Sequence, residues 1–125
     1  MLSTPWNAEQ LERICRSREL EIASRRVDGT LRPSVPIWVV CADGGVYVRT
    51  WYRRTTGWFG RVIAVPEARI QVPGLGADVS VVDVGGALEL RASVDGAYRA
   101  KYGPAGHQSM ITDEAAATTL RLDPR

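Results

Sequence analysis

One lysine, one histidine and two cysteines in 125 residues exclude several common chemistries. His107 stands far in sequence from Cys15 and Cys41, so no zinc-ligand spacing exists. HExxH, GxSxG and a phosphate-binding P-loop are missing. Gly74-Leu75-Gly76 lacks the third glycine and the following helix of a dinucleotide fingerprint. Cys41 and His107 pair as nucleophile and base only by residue type, with nothing in their spacing to support it. Asp113-Glu114 reads as the start of a turn or solvated segment, not as paired catalytic acids. The opening MLSTPWNAEQ has neither the basic nor the apolar region of a signal peptide, and no apolar run reaches a membrane span. Two cysteines make no scaffold in a chain of this size. Both read as small buried hydrophobes of a reduced, cytoplasmic protein.

What is present suits a single globular domain over residues 1–125. Hydrophobic residues make up 45% and charged residues 24%, enough apolar material for one core. A net charge of +2 is too balanced to imply nucleic-acid binding by itself. Lys101 is the only lysine, so almost every cation is an arginine, whose planar fork suits carboxylate or phosphate.

Asn7 and Gln10 form a capping-box pair, and Ala8, Leu11, Ile14 and Cys15 share one helical face ending near Arg16. Residues 19–26 read as a strand, with Leu20 and Ile22 opposite Glu19 and Glu21. Asp28-Gly29 then predicts a type I′ turn, which needs positive φ at both central positions. The return strand, about 31–41, is apolar on both faces, and Pro33 and Pro36 make its first half an edge or a bulge. After Asp43-Gly44-Gly45 a third strand, 46–51, completes an antiparallel meander. A helix over 58–65 stops at Pro66, and strands follow at 68–72 and 78–84 around Pro73-Gly74. The longest helix spans 86–102 despite Gly96, which costs about 1 kcal/mol relative to alanine. A strand over 118–122 closes an α+β chain of six mostly antiparallel strands and about three helices. So many strands in a short chain curl into a small barrel.

The unusual stretch runs from Gly44 to Pro66. It contains no acid, yet it carries Arg49, Arg53, Arg54 and Arg61. Tyr47, Trp51, Tyr52, Trp58 and Phe59 lie in it, and with Trp38 they account for six of the nine aromatic residues. Arginines, threonine hydroxyls and backbone N–H groups at a helix start near Trp58 can hold a phosphate. Flat side chains beside them can flank a planar heterocycle. Two readings stand side by side: a nucleotide- or flavin-type site, or core aromatics with a solvated arginine rim. The same residues also permit stacking of single-stranded nucleic acid, against which the small net charge argues.

The order of motifs then resembles the flavin- and deazaflavin-binding split-barrel (pyridoxamine phosphate oxidase-like) superfamily. Gly29, Arg32-Pro33, Pro36-Ile37-Trp38, Asp43-Gly44 and Val48-Arg49-Thr50 fill its front half, and the 58–65 helix, proline and 68–72 strand its next step. EIASRRVDGTLRP, PIWVV, VYVR, AYRAKYGP and AAATTLRL together resemble a bacterial family of small uncharacterised proteins within or near it. The resemblance implies a six-stranded split barrel, homodimeric, with FMN or a deazaflavin at the rim. It implies a small oxidoreductase acting on a small molecule. Carried over, Arg49 and Thr50 meet the phosphate or ring edge and Trp38 lies beside the ring. Arg54, Thr55, Trp58 and Arg61 hold the phosphate or acidic tail. The superfamily's oxidoreductases carry a lysine in this loop or helix, where this chain has Arg61. If Trp51 or Trp58 fills the ring site instead, the fold is a cofactor-free binding module for a small acidic or planar ligand. Tyr98, Lys101 and Tyr102 are the remaining donors, the tyrosines fitting equally a helix face packed on the barrel.

Overall fold

The computed structural model describes residues 5–51, 57–103 and 108–125. Helix α1 (Ala8–Arg16) begins at the expected capping box. Asn7 Oδ1 accepts the Gln10 N–H at 2.8 Å and Gln10 Oε1 accepts the Asn7 N–H at 3.0 Å, so two otherwise orphaned donors are satisfied. Strands β1 (Glu19–Ser24), β2 (Val35–Trp38), β3 (Val40–Ala42) and β4 (Gly45–Val48) follow. Helix α2 (Trp58–Ala64) ends just before Pro66, and β5 (Glu67–Val72) and β6 (Leu75–Asp83) form the next hairpin. Helix α3 (Leu88–Tyr102), a 3-10 turn at Gln108–Met110, α4 (Asp113–Ala116) and β7 (Leu120–Pro124) complete the chain. Asp113 and Glu114 thus form the first turn of α4, where Thr112 caps the helix.

The fold is α+β, with one antiparallel sheet in the order β2-β1-β5-β6-β7-β4-β3. Seven strands are present among the described residues, where six were expected, because the long return strand divides at Val39. β2 pairs only with β1, and β3 pairs only with β4. The two edges of the sheet are therefore consecutive in the chain, and the sheet curls into a nearly closed barrel with Val39 as its corner. Pro36 lies on the β2 edge, where its missing N–H breaks no ladder. The expected meander holds as two hairpins but is cut between them.

The hairpin turns exchange character relative to expectation. Asp43 (φ 50°) and Gly44 (φ 79°) both have positive φ, which makes this the type I′ turn. At the first turn only Gly29 does (φ 90°). Asp28 instead turns its carboxylate on Thr30, accepting the backbone N–H at 3.0 Å and the hydroxyl at 2.7 Å. These bonds hold the Asp28 carboxyl below its ordinary range.

The barrel interior is packed by inward residues of every long strand, such as Leu20, Ile70, Val79 and Leu122, and is closed by Trp6, whose indole N–H donates to the Leu122 carbonyl at 2.9 Å. A second cluster lies outside the sheet, where Val94, Tyr98 and Tyr102 of α3 pack on Val40 and Tyr47. Both faces of β4 are thus buried.

The end of α3 holds the corner. The Val39 N–H donates to the Tyr102 hydroxyl at 3.2 Å, and the Val39 carbonyl accepts from Lys101 Nζ at 2.7 Å. The Tyr102 hydroxyl also reaches the carbonyls of Val39 and Arg18. Backbone groups that leave the ladder at the corner are in this way satisfied.

Cys15 and Cys41 form a disulfide between α1 and β3, with a Cα–Cα distance of 5.5 Å. This corrects the reading of two free, buried thiols. The pair is made by topology, which lays the end of α1 over β3, and no local signal marks it. The free-thiol argument for a reduced cytoplasmic protein falls away with it. No helix among the described residues is long and apolar enough to cross a membrane.

Two outcomes follow from these contacts. Replacing both cysteines by serine removes a crosslink spanning 26 residues and is expected to lower stability by about 3 kcal/mol, read from urea unfolding. Burial, with Arg18 nearby, lowers the Lys101 amine from 10.5 to about 8. Below pH 8 both folded and unfolded chains carry this proton and the group opposes folding; between about 8 and 10.5 only the unfolded chain keeps it, so its contribution to stability rises with pH. With isotope-labelled lysine the single side-chain resonance should titrate near 8; a midpoint near 10.5 would contradict the burial.

Candidate functional site

A cavity of about 600 Å³ opens between the β2 edge and the chain leaving β4. One wall is Glu19 with Val35, Pro36, Ile37 and Trp38; the other is Arg49, Thr50 and Trp51, with Gly57, Trp58 and Arg61 from α2 and its N-cap. Ser109 and Met110 close a side. Of the residues singled out from sequence, Trp38, Arg49, Thr50, Trp58 and Arg61 all line this one cavity. Arg54 and Thr55 lie outside the described residues, as does His107, the partner once considered for Cys41.

Each lining residue is fixed by a different device. The Trp38 ring stacks on Tyr102 with centroids 4.1 Å apart and planes within 3°. Tyr102 is itself held at the Val39 corner, so the indole is presented as a rigid flat wall. Trp58 is braced edge-on by Phe59 at 5.9 Å. Trp51 is 57% exposed at the lip. Neither Trp51 nor Trp58 fills the cavity. The Thr50 peptide is locked beyond the strand end, its N–H donating to Thr118 Oγ1 at 3.0 Å.

Arg49 is buried outright, which composition does not reveal. Its Nε donates to Thr119 Oγ1 at 2.8 Å, and its Nη1 donates to Asp95 Oδ1 at 2.5 Å and to the Met110 carbonyl at 2.8 Å. The guanidinium lies over the Tyr98 ring, 5.5 Å from its centroid, and burial raises the Tyr98 phenol far above its ordinary range. Nη2 of Arg49 and the Tyr98 hydroxyl are buried without a partner among the described residues. The Arg49 guanidinium therefore ties β4 to α3 and to the chain end before β7, and its side chain exposes no surface. Arg61 differs: it is exposed in the last turn of α2 and makes no ion pair among the described residues. Since α2 has only seven residues, its dipole adds little at this wall.

Sequence reasoning missed Asp95, Glu19 and Ser109. Asp95 lies mid-helix, four residues after Arg91, and that spacing alone suggests a solvated pair. Its second oxygen does face Arg91 Nε, at 3.6 Å, while the first neutralises Arg49. Tyr98 and Tyr102 are buried in the outer cluster, and Lys101 serves the corner; none of the three lines the cavity. Among the described residues no three His, Cys, Asp or Glu side chains converge as metal ligands.

A nearly closed antiparallel sheet with helices outside it and a cavity at the rim is a split barrel. A candidate 5-nitroimidazole antibiotic resistance protein from Bacteroides thetaiotaomicron shares this architecture, with a TM-score of 0.63 over 94% of this chain and 79% of that one at 13% identity. A FAD-binding protein from Mesorhizobium loti gives 0.57 over 99% and 92% at 16% identity. A conserved hypothetical protein from Mycobacterium tuberculosis gives 0.59 over 98% and 81% at 13% identity. Identities this low show a shared fold. No curated protein matches the sequence. Residues 10–122 match the family described as "Uncharacterized protein conserved in bacteria (DUF2255)", and the chain belongs to that family.

The Arg49–Asp95 pair yields a stability test. Asp95→Ala leaves a buried guanidinium uncompensated and is expected to cost about 3–5 kcal/mol in urea unfolding. Adding Arg49→Met should recover most of that loss; no recovery would mean the pair is not the cause.

Proposed function

We propose that the cavity holds an isoalloxazine-type cofactor, FMN or a deazaflavin, and that the chain is a small oxidoreductase acting on a small molecule. The observation that carries this reading is one cavity of about 600 Å³, lined by three tryptophans, with the exposed Arg61, which has no ion pair among the described residues, in its wall. The volume lies within the range of cofactor pockets, and few but directional polar groups among flat apolar walls are what such ligands need. That a protein of the same fold binds FAD adds to the reading.

The residues fit the group. Trp38, backed by Tyr102, supplies a flat face for the ring, Arg61 supplies charge for the phosphate, and Arg49 and Thr50 line the same wall. Val35, Ile37 and Met110 restrict water along the apolar side. When bound, such a cofactor supplies hydride or electron transfer, and the chain supplies position and electrostatics. Homodimerisation belongs to the same proposal, since Trp51 at the lip offers an exposed apolar surface to a second copy.

The cofactor-free alternative keeps one supporting observation: Glu19 places a carboxylate in the wall, which suits a small polar ligand as well as a flavin ring. Absorbance of the purified protein, followed by fluorescence titration with FMN and with a deazaflavin, separates the two. Saturable binding is expected, and Arg61→Ala should weaken it roughly tenfold, the value of one charge-assisted hydrogen bond. No cofactor band and no binding of either would leave the binding-module reading in its place.

A further inference from the structure

Two exposed charges of opposite sign stand in the cavity walls. Arg61 lies in the α2 wall and makes no ion pair among the described residues. Glu19 lies in the sheet wall, and its carboxylate has neither an ion pair nor a hydrogen bond among the described residues. Other carboxylates of the protein are matched: Asp78 meets Arg25 and Arg69, Glu67 meets Arg125, and Asp95 meets Arg49 and Arg91. The cations around Glu19 are engaged elsewhere. Arg18, next to it in the chain, lies over the Tyr102 ring at 5.4 Å from the centroid, and Lys101 donates to the Val39 carbonyl. Arg49 is bonded to Asp95.

Strand register places Glu19 beside the flat wall. Glu19 of β1 is directly opposite Trp38 of β2. Such a pair sends both side chains to one face of the sheet, with Cβ atoms about 4.5–5.5 Å apart. A molecule lying against Trp38 is therefore within reach of the carboxylate. Ionised, that carboxylate only accepts hydrogen bonds, and it forms the strongest ones with a cationic N–H donor. A second anion at the same wall would meet a like charge, which discriminates against it.

We propose that Glu19 is a specificity-determining residue of the cavity, and that the substrate is a small flat molecule carrying a protonated amine or amidinium group, which Glu19 binds at the sheet wall. The anionic end of the cofactor goes to Arg61 at the α2 wall. The two charges thus sort the two molecules. This rests on reading the cavity as the ligand site, and it deepens the oxidoreductase reading by giving the substrate a charge.

Three probes of one shape separate charge from fit: benzamidine, a flat cation; benzamide, which is neutral; and benzoate, an anion. Binding is read from the indole N–H resonances of protein carrying isotope-labelled tryptophan. Wild type, Glu19→Gln and Arg61→Ala are compared, each checked for folding by circular dichroism. Benzamidine should bind and weaken about fivefold in Glu19→Gln, the size of an exposed ion pair. Benzamide should be unchanged in that variant. Benzoate should gain affinity in Glu19→Gln and lose it in Arg61→Ala. A merely structural Glu19 would move all three probes together. The proposal is overturned if benzamidine does not bind, if Glu19→Gln leaves its affinity unchanged, or if benzamide weakens as much as benzamidine does. No probe carries an isoalloxazine or a phosphate, so failure of FMN and deazaflavin to bind would sink the cofactor reading and leave this test standing. Binding of FMN together with benzamidine indifferent to Glu19 would sink the substrate assignment alone.

Discussion

The structure depends on the satisfaction of one peptide corner. At Val39 the chain leaves one edge of the sheet and enters the other, and its N–H and C=O lose their ladder partners. Buried backbone groups cannot remain unpaired without large cost. Tyr102 and Lys101 meet them from the last turn of α3. That contact ties the long helix to the barrel, stacks Tyr102 beneath Trp38, and so sets the flat wall of the cavity. Fold and site therefore share one fastening.

A second constraint acts from the other wall. Arg49 follows β4 directly, in a position where both sides of the strand are covered. A guanidinium there needs a counter-charge, and α3 supplies Asp95 seven residues before Tyr102. The same helix thus positions Trp38 at one end and Arg49 nearer its middle. The cavity lies where two strand ends, organised by one helix, face the start of α2.

Much of this was legible in the sequence where the signal is local. The capping box at Asn7, the stop at Pro66 and the Pro73-Gly74 hairpin are decided by neighbours in the chain, and each element lies within a few residues of its expected place. The acid-free arginine and tryptophan stretch pointed to the wall that carries Arg49, Trp58 and Arg61. The break at Val39 was not legible, because no glycine or proline marks it and its cause lies more than sixty residues away in α3. The Cys15–Cys41 bridge was hidden for the same reason, as was Asp95, whose partner across 46 residues cannot be read from a helical repeat. Asp28-Gly29 misled at the level of turn type, since its carboxylate found Thr30 and did not need positive φ.

The disulfide has a consequence for the proposed ligand site. Cys15 and Cys41 close a ring of chain, and Glu19 and Val35 through Trp38 all sit on its circumference. One half of the cavity wall is thus carried on a covalently closed loop, whose bridge limits the conformations open to the unfolded chain. For the ligand proposed to lie against Trp38, part of the ordering entropy of that wall is given up when the bridge closes and the chain folds, before the ligand arrives.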